Sequence, residues 1–139
     1  MNKKIWCLNI VLPLMIGTVI YFFLKPNAFV SLQIADIFNL SVEKNECNNL
    51  VLMFLKNHFC DMCWSYSLVF ILSLLLKDYN FGIAISCTLN ILMTIGIEYC
   101  QLENFISGTF DLGDIFLQIL SGVFSAWIIK TKEKEVMTK

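Results

Sequence analysis

Residues 5–24 are twenty consecutive uncharged and mostly apolar positions, closed by Lys3 and Lys4 on one side and Lys25 on the other. A run of this length can cross a hydrocarbon core of about 30 Å. Backbone polar groups find no water inside a bilayer, so such a run is expected to be a helix that satisfies its own hydrogen bonds. A secretory leader also begins with lysines, but its apolar part is usually about 7 to 15 residues, and no small-x-small cleavage site follows Lys25. The segment reads as a retained span.

Three further apolar runs end at Lys77, Glu98 and Lys130. Each is slightly short for a bilayer, and reaching about 20 residues gives spans over 59–76, 81–100 and 112–129. Those extensions draw Asp61, Glu98 and Asp114 into the span ends. The composition agrees with a membrane class, since 58% of the chain is apolar and 15% charged, where soluble domains have about 45–50% and about 25%. The expected fold is an all-α integral membrane protein forming one domain over 1–139. It is a bundle of four transmembrane helices with a short interfacial helix in the first outer loop. That last element is read from 28–40, where Gln33, Asp36 and Asn39 recur every three residues among apolar neighbours.

Lysine marks the cytoplasmic side of a span. Lys3 and Lys4 precede the first span, and Lys130, Lys132, Lys134 and Lys139 follow the fourth, so both termini are expected in the cytoplasm. Residues 130–139 read as a solvated tail. Between spans three and four, Glu98, Glu103, Asp111 and Asp114 meet no lysine, and this connection is expected to face outward. All ten basic residues are lysine and the formal net charge is -1. The cationic face and guanidinium forks that favour nucleic-acid binding are therefore missing.

Counting from the cytoplasmic ends, Lys77 to Asp61 and Lys130 to Asp114 are 16 residues, and Asp78 to Glu98 is 20. At the helical rise this puts the three acids about 24 to 30 Å up, near the outer hydrocarbon boundary. A carboxylate facing lipid is costly there, so the acids are expected to converge on the bundle interior or on the water above it. Helical spacing adds His58 and Ser65 to Asp61, and Asn90, Thr94 and Gln101 to Glu98. On the last span Asp111, Asp114, Gln118, Ser121 with Gly122, and Ser125 form a narrow polar and small stripe.

Hydrogen bonding between helices is a sufficient reason for Asn90, Thr94 and Ser125. It fits the carboxylates less well, since Asp61, Glu98, Asp111 and Asp114 have only Lys56 and His58 near them in sequence as cations. Shared protons, a divalent cation such as Mg²⁺ or Ca²⁺, or a cationic ligand would relieve the repulsion. The candidate ligand-binding set is His58, Asp61, Glu98, Gln101, Asp111, Asp114 and Gln118, with no resident cofactor expected. His58, Cys60 and Cys63 offer zinc ligands, and Cys60 and Cys63 have redox spacing, but no second CxxC or histidine completes either site. A disulfide among Cys47, Cys60, Cys63 and Cys100 is open if the outer compartment is oxidising. A serine hydrolase lacks its nucleophile-elbow motif.

His58-Phe59, then Glu98-Tyr-Cys-Gln101, then Gly108-Thr-Phe-Asp111-Leu-Gly-Asp114 before a glycine-containing last span resemble the signature of VanZ-like membrane proteins. The resemblance covers about residues 50–130. Gly108 stands where that pattern commonly has arginine, Gln118 where it has asparagine, and Ser121 with Gly122 where it has a single glycine, which marks a divergent branch. The resemblance implies a protein of the bacterial envelope that lowers susceptibility to glycopeptide antibiotics, teicoplanin in particular. Together with the outward acids it leads to a lipid-linked ligand, a cell-wall precursor or a lipoglycopeptide, met at the outer leaflet. A membrane-embedded acid/base enzyme, or an assembly partner of another membrane protein, are the alternative functions.

Overall fold

The computed structural model describes residues 3–24, 37 and 50–137, and the interfacial helix expected over 28–40 lies outside the described residues. The chain runs as α1 (Lys3–Leu24), α2 (Leu50–Phe54), a π-helical turn (Leu55–Phe59), α3 (Cys60–Leu75), α4 (Gly82–Leu102) and α5 (Leu112–Met137). The described residues contain no strand. Four helices are long and apolar enough to cross a membrane: Lys4–Leu24, Val51–Leu75, Gly82–Leu102 and Leu112–Lys134.

Two helices exceed their sequence-based bounds by about two turns. The second starts before position 59 because α2 and the π turn lead into α3 with helical backbone at both junctions. The last continues to Met137, so most of the expected tail is helix. Lysine and glutamate are good helix formers, and neither glycine nor proline interrupts 130–137.

α3 is the hub, packing against α1, α4 and α5. α1 leans on α3, where Trp6 meets Phe70 edge-on with ring centroids 5.5 Å apart. The Tyr66 hydroxyl donates to Asn9 Oδ1 at 2.6 Å, and Ser67 Oγ donates to the Ile10 carbonyl at 3.2 Å. Close approach is set by Gly17, since a Cβ there would lie 3.0 Å from Cys63 Cβ. Cys60 and Cys63 are buried at this crossing and form no disulfide among the described residues.

The interior is polar and the exterior greasy, the reverse of a water-soluble bundle. The buried apolar cluster is Trp6, Val69, Phe70 and Ile129, whereas Ser65, Ser67, Ser73, Ser86, Asn90, Thr94, Glu98, Ser121 and Ser125 are all buried. Large apolar side chains such as Leu8, Leu92, Phe116 and Trp127 point outward. On α4 the buried residues are Gly82, Ser86, Asn90, Thr94 and Glu98. This is an unbroken step of four, the ridge that one helix lays into its neighbours' groove.

The hydrogen bonds follow from that ridge. Asn90 Nδ2 donates to Ser65 Oγ at 3.0 Å, and Ser65 Oγ donates onward to the Gln118 carbonyl at 2.6 Å. Thr94 Oγ1 donates to Gln118 Oε1 at 3.1 Å, and Ser121 Oγ to the Met62 carbonyl at 2.7 Å. Asn90 and Thr94 thus join helices as expected. Ser125 does not, because its hydroxyl donates to the Gly122 carbonyl in its own helix at 2.7 Å. Gly122 allows the contact, since a Cβ there would stand 2.5 Å from Asn90 Nδ2.

The antiparallel arrangement also sorts charge. Lys77, Lys130 and Lys134 line a cavity at one end of the bundle, and Asp61, Glu98 and Asp114 line a cavity at the other.

Candidate functional site: an acid–histidine cluster at one end of the bundle

The cluster is built from three chain segments. His58 comes from the π turn, Glu98 and Gln101 from the last turns of α4, and Asp111, Asp114 and Gln118 from the start of α5. A π turn holds one more residue than an α turn and recurs at functional positions. Here it carries the only histidine of the chain, with the Phe54 ring centroid 5.6 Å from that of His58.

His58 Nδ1 lies 2.5 Å from Asp114 Oδ1. In the tautomer that carries its proton on Nδ1, this nitrogen donates to the carboxylate and Nε2 is left as the imidazole's acceptor or ligand atom. Asp111 Oδ1 accepts from the Gly113 amide at 2.7 Å, and its carbonyl accepts from the Asp114 amide at 3.1 Å. Asp111 is therefore the N-cap of α5. Asp114 stands in the first helical turn, where the helix dipole favours negative charge. Glu98, buried at 2% exposure, accepts from the Asp111 amide at 3.0 Å through Oε2.

These contacts answer the repulsion problem posed by the sequence. Asp114 has an imidazole and a helix N-terminus, Asp111 a backbone amide, and Glu98 another backbone amide. The protein itself supplies part of the compensation.

Gln101 lies beneath the loop. Gly108 has φ +154°, and a Cβ there would sit 2.6 Å from Gln101 Cδ and 2.7 Å from Nε2. Glycine is required at this point by the backbone angle and by the amide below it. Asn104, at φ 57°, ends the α4 turn, and the Phe105 amide donates to the Cys100 carbonyl at 2.8 Å.

Asp61, Glu98, Gln101, Asp114 and Gln118 line one cavity of about 530 Å³. Of the other two candidate residues, His58 reaches Asp114 from the side, and Asp111 is engaged as a cap. Gln118 lies deeper, bonded to Thr94 and Ser65, and links the cavity to the interhelical network. The sequence reading missed the α1 side of the cavity, which is made by Thr18 and Tyr21, and missed Trp64 from α3. The available signal was Thr18 and Tyr21 as polar groups three residues apart near the C-terminal end of the first apolar run.

His58, Asp111 and Asp114 bring ligand atoms within 4.8 Å of one another. An imidazole and two carboxylates suit a transition-metal ion with open positions better than the all-oxygen shells of Ca²⁺ or Mg²⁺. The cysteines do not join them, so among the described residues the histidine–cysteine zinc site does not form, and no disulfide links Cys60, Cys63 and Cys100. Cys47 lies outside the described residues.

Comparison of the chain with protein-family models, with curated proteins and with solved structures finds no match.

Proposed function

We propose that this chain is a multi-pass protein of the bacterial cytoplasmic membrane, with both termini in the cytoplasm. In this reading it is VanZ-like, and it binds or acts on a lipid-linked ligand at the outer leaflet through the acid–histidine cluster. The observation that carries the reading is the cavity: Asp61, Glu98, Asp114 and Gln118 from three helices face one space, walled by Tyr21 and Trp64. Carboxylates beside aromatic faces can recognise amino groups, by ion pairing and by cation–π contact. An amphiphile carrying such a group could place its apolar part along the greasy exterior of the helices. The three lysines at the end away from the acid cluster, Lys77, Lys130 and Lys134, support the sidedness, because lysine favours the cytoplasmic side.

The test is teicoplanin susceptibility, with vancomycin alongside, in a Gram-positive host expressing wild type, Glu98→Gln or Asp114→Asn at matched membrane levels. Protection by wild type that both variants lose is the expected result. Unchanged susceptibility with wild type removes the antibiotic reading, and full protection by both variants removes the acid cluster as its site.

The His58–Asp114 pair favours a second reading, an acid/base enzyme in which the imidazole transfers a proton at Nε2 while Asp114 holds its orientation. Turnover of a lipid-linked precursor by purified protein, lost in His58→Gln, would select it over binding alone.

A further inference from the structure

At the end of the bundle opposite the acid cluster, the turn between α3 and α4 and the last turns of α5 enclose a cavity of about 660 Å³. Its charged lining is Lys77, Lys130 and Lys134 against Glu133, three positive groups to one negative. Ile83 and Ala84 also line it. They belong to the first turn of α4, where the Gly82 amide donates to the Tyr79 carbonyl at 3.0 Å but the Ile83 and Ala84 amides precede the first intrahelical acceptors, and the N-cap Phe81 supplies no capping side chain. Lysines and open amides at a helix start are the two features that favour an anionic oxygen group.

A third observation is independent of charge. Ser73 lines the same cavity, is 3% exposed, and has a hydroxyl that meets no hydrogen-bond partner. Every other buried side-chain polar atom among the described residues has a partner. Buried hydroxyls are normally satisfied, so an orphan at the wall of a cationic cavity points to a group that completes it. Trp127, also on the lining and exposed on its outer side, supplies an amphipathic ring of the kind that sits at headgroup level.

We infer that this cavity is a binding site for a phosphate group, held by Lys77 and Lys130, the Ile83 and Ala84 amides and the Ser73 hydroxyl. An anionic lipid headgroup and a soluble phosphate present the same chemistry to these residues. The lipid source rests on the membrane reading above; the phosphate chemistry does not, and neither depends on the acid cluster.

The full chain, purified in a non-ionic detergent, is titrated with dioleoyl phosphatidic acid, with dioleoyl phosphatidylcholine and with inorganic phosphate, following bound ligand by native mass spectrometry and thermal midpoint. Saturable binding of phosphatidic acid but not phosphatidylcholine is expected, weakened at least tenfold in Lys77→Gln/Lys130→Gln. Both lysines are exposed, so this variant is expected to fold. Ser73→Ala removes an unsatisfied hydroxyl, and should weaken binding several-fold while leaving the ligand-free thermal midpoint equal or higher. A merely structural serine would not separate those two readouts.

Binding of inorganic phosphate as tightly as phosphatidic acid assigns the site to a soluble phosphate. Retained binding in Glu98→Gln shows that the two ends act separately, whatever becomes of the antibiotic reading. Absence of saturable binding by both anions, or equal affinity in wild type and the double-lysine variant, overturns the inference.

Discussion

Gly122→Ala is the sharpest probe of how the bundle is held together. The added Cβ would lie 2.5 Å from Asn90 Nδ2 and 3.4 Å from Ser65 Oγ. The first distance is about 1 Å inside ordinary contact, so the Asn90 amide has to move. Moving it breaks the 3.0 Å bond to Ser65, which in turn holds the Gln118 carbonyl. Each interhelical bond contributes about 0.6 kcal/mol, and overpacking costs about 1–3 kcal/mol. The better helix propensity of alanine returns about 0.5–1 kcal/mol, leaving a net loss of about 2 kcal/mol. The assay is reversible unfolding in mixed micelles, with an anionic detergent as denaturant and helicity as the signal. Gly96→Ala is the control: a Cβ there meets nothing within 4 Å, and the change should be neutral or stabilising. In an Asn90→Ala background the clash partner is gone, so the Gly122→Ala penalty should fall below about 1 kcal/mol and the pair should be non-additive. Equal penalties in both backgrounds, or a Gly122→Ala variant as mild as Gly96→Ala, would refute the close-contact explanation.

Three other substitutions test separate parts of the structure. Gly17→Leu should push α1 away from α3, since even a Cβ lies 3.0 Å from Cys63; Cys60 and Cys63, protected from maleimide in the folded wild type, should then label. Gly108→Ala should cost about 1–3 kcal/mol through its backbone angle and its contact with Gln101; trimming the amide with Gln101→Ala should return the part due to contact, and no recovery would leave the angle as the whole cost. Asp111→Ala should lose about 1 kcal/mol as a missing N-cap while Asp111→Asn keeps it; if Asp111→Asn is also silent in the teicoplanin assay, the Asp111 charge has only a capping role.

The helical class and the four long apolar segments were legible from residue order. They depend on run length and on a helical rise that is the same in every helix. The residues of the acid cluster could be shortlisted for the same reason, because counting from the opposite ends of their spans gave Asp61, Glu98 and Asp114 similar depths. Their separate tasks could not be assigned that way. Asp111 and Asp114 are three residues apart and chemically alike, yet one caps α5 while the other pairs with His58.

What only the tertiary structure decided is which face of each helix meets which neighbour. Periodicity puts Ser121 and Ser125 on one stripe, but only Ser121 reaches another helix, because the path of α5 past α3 brings it to the Met62 carbonyl and leaves Ser125 to its own backbone. The π turn at Leu55–Phe59 inserts an extra residue ahead of α3, a change of register with no signal in a hydropathy pattern. Thr18 and Tyr21 joined the cavity only because Gly17 lets α1 approach Cys63. Sequence determines what each segment is able to bury; the packing of all the helices at once determines which of those groups meet.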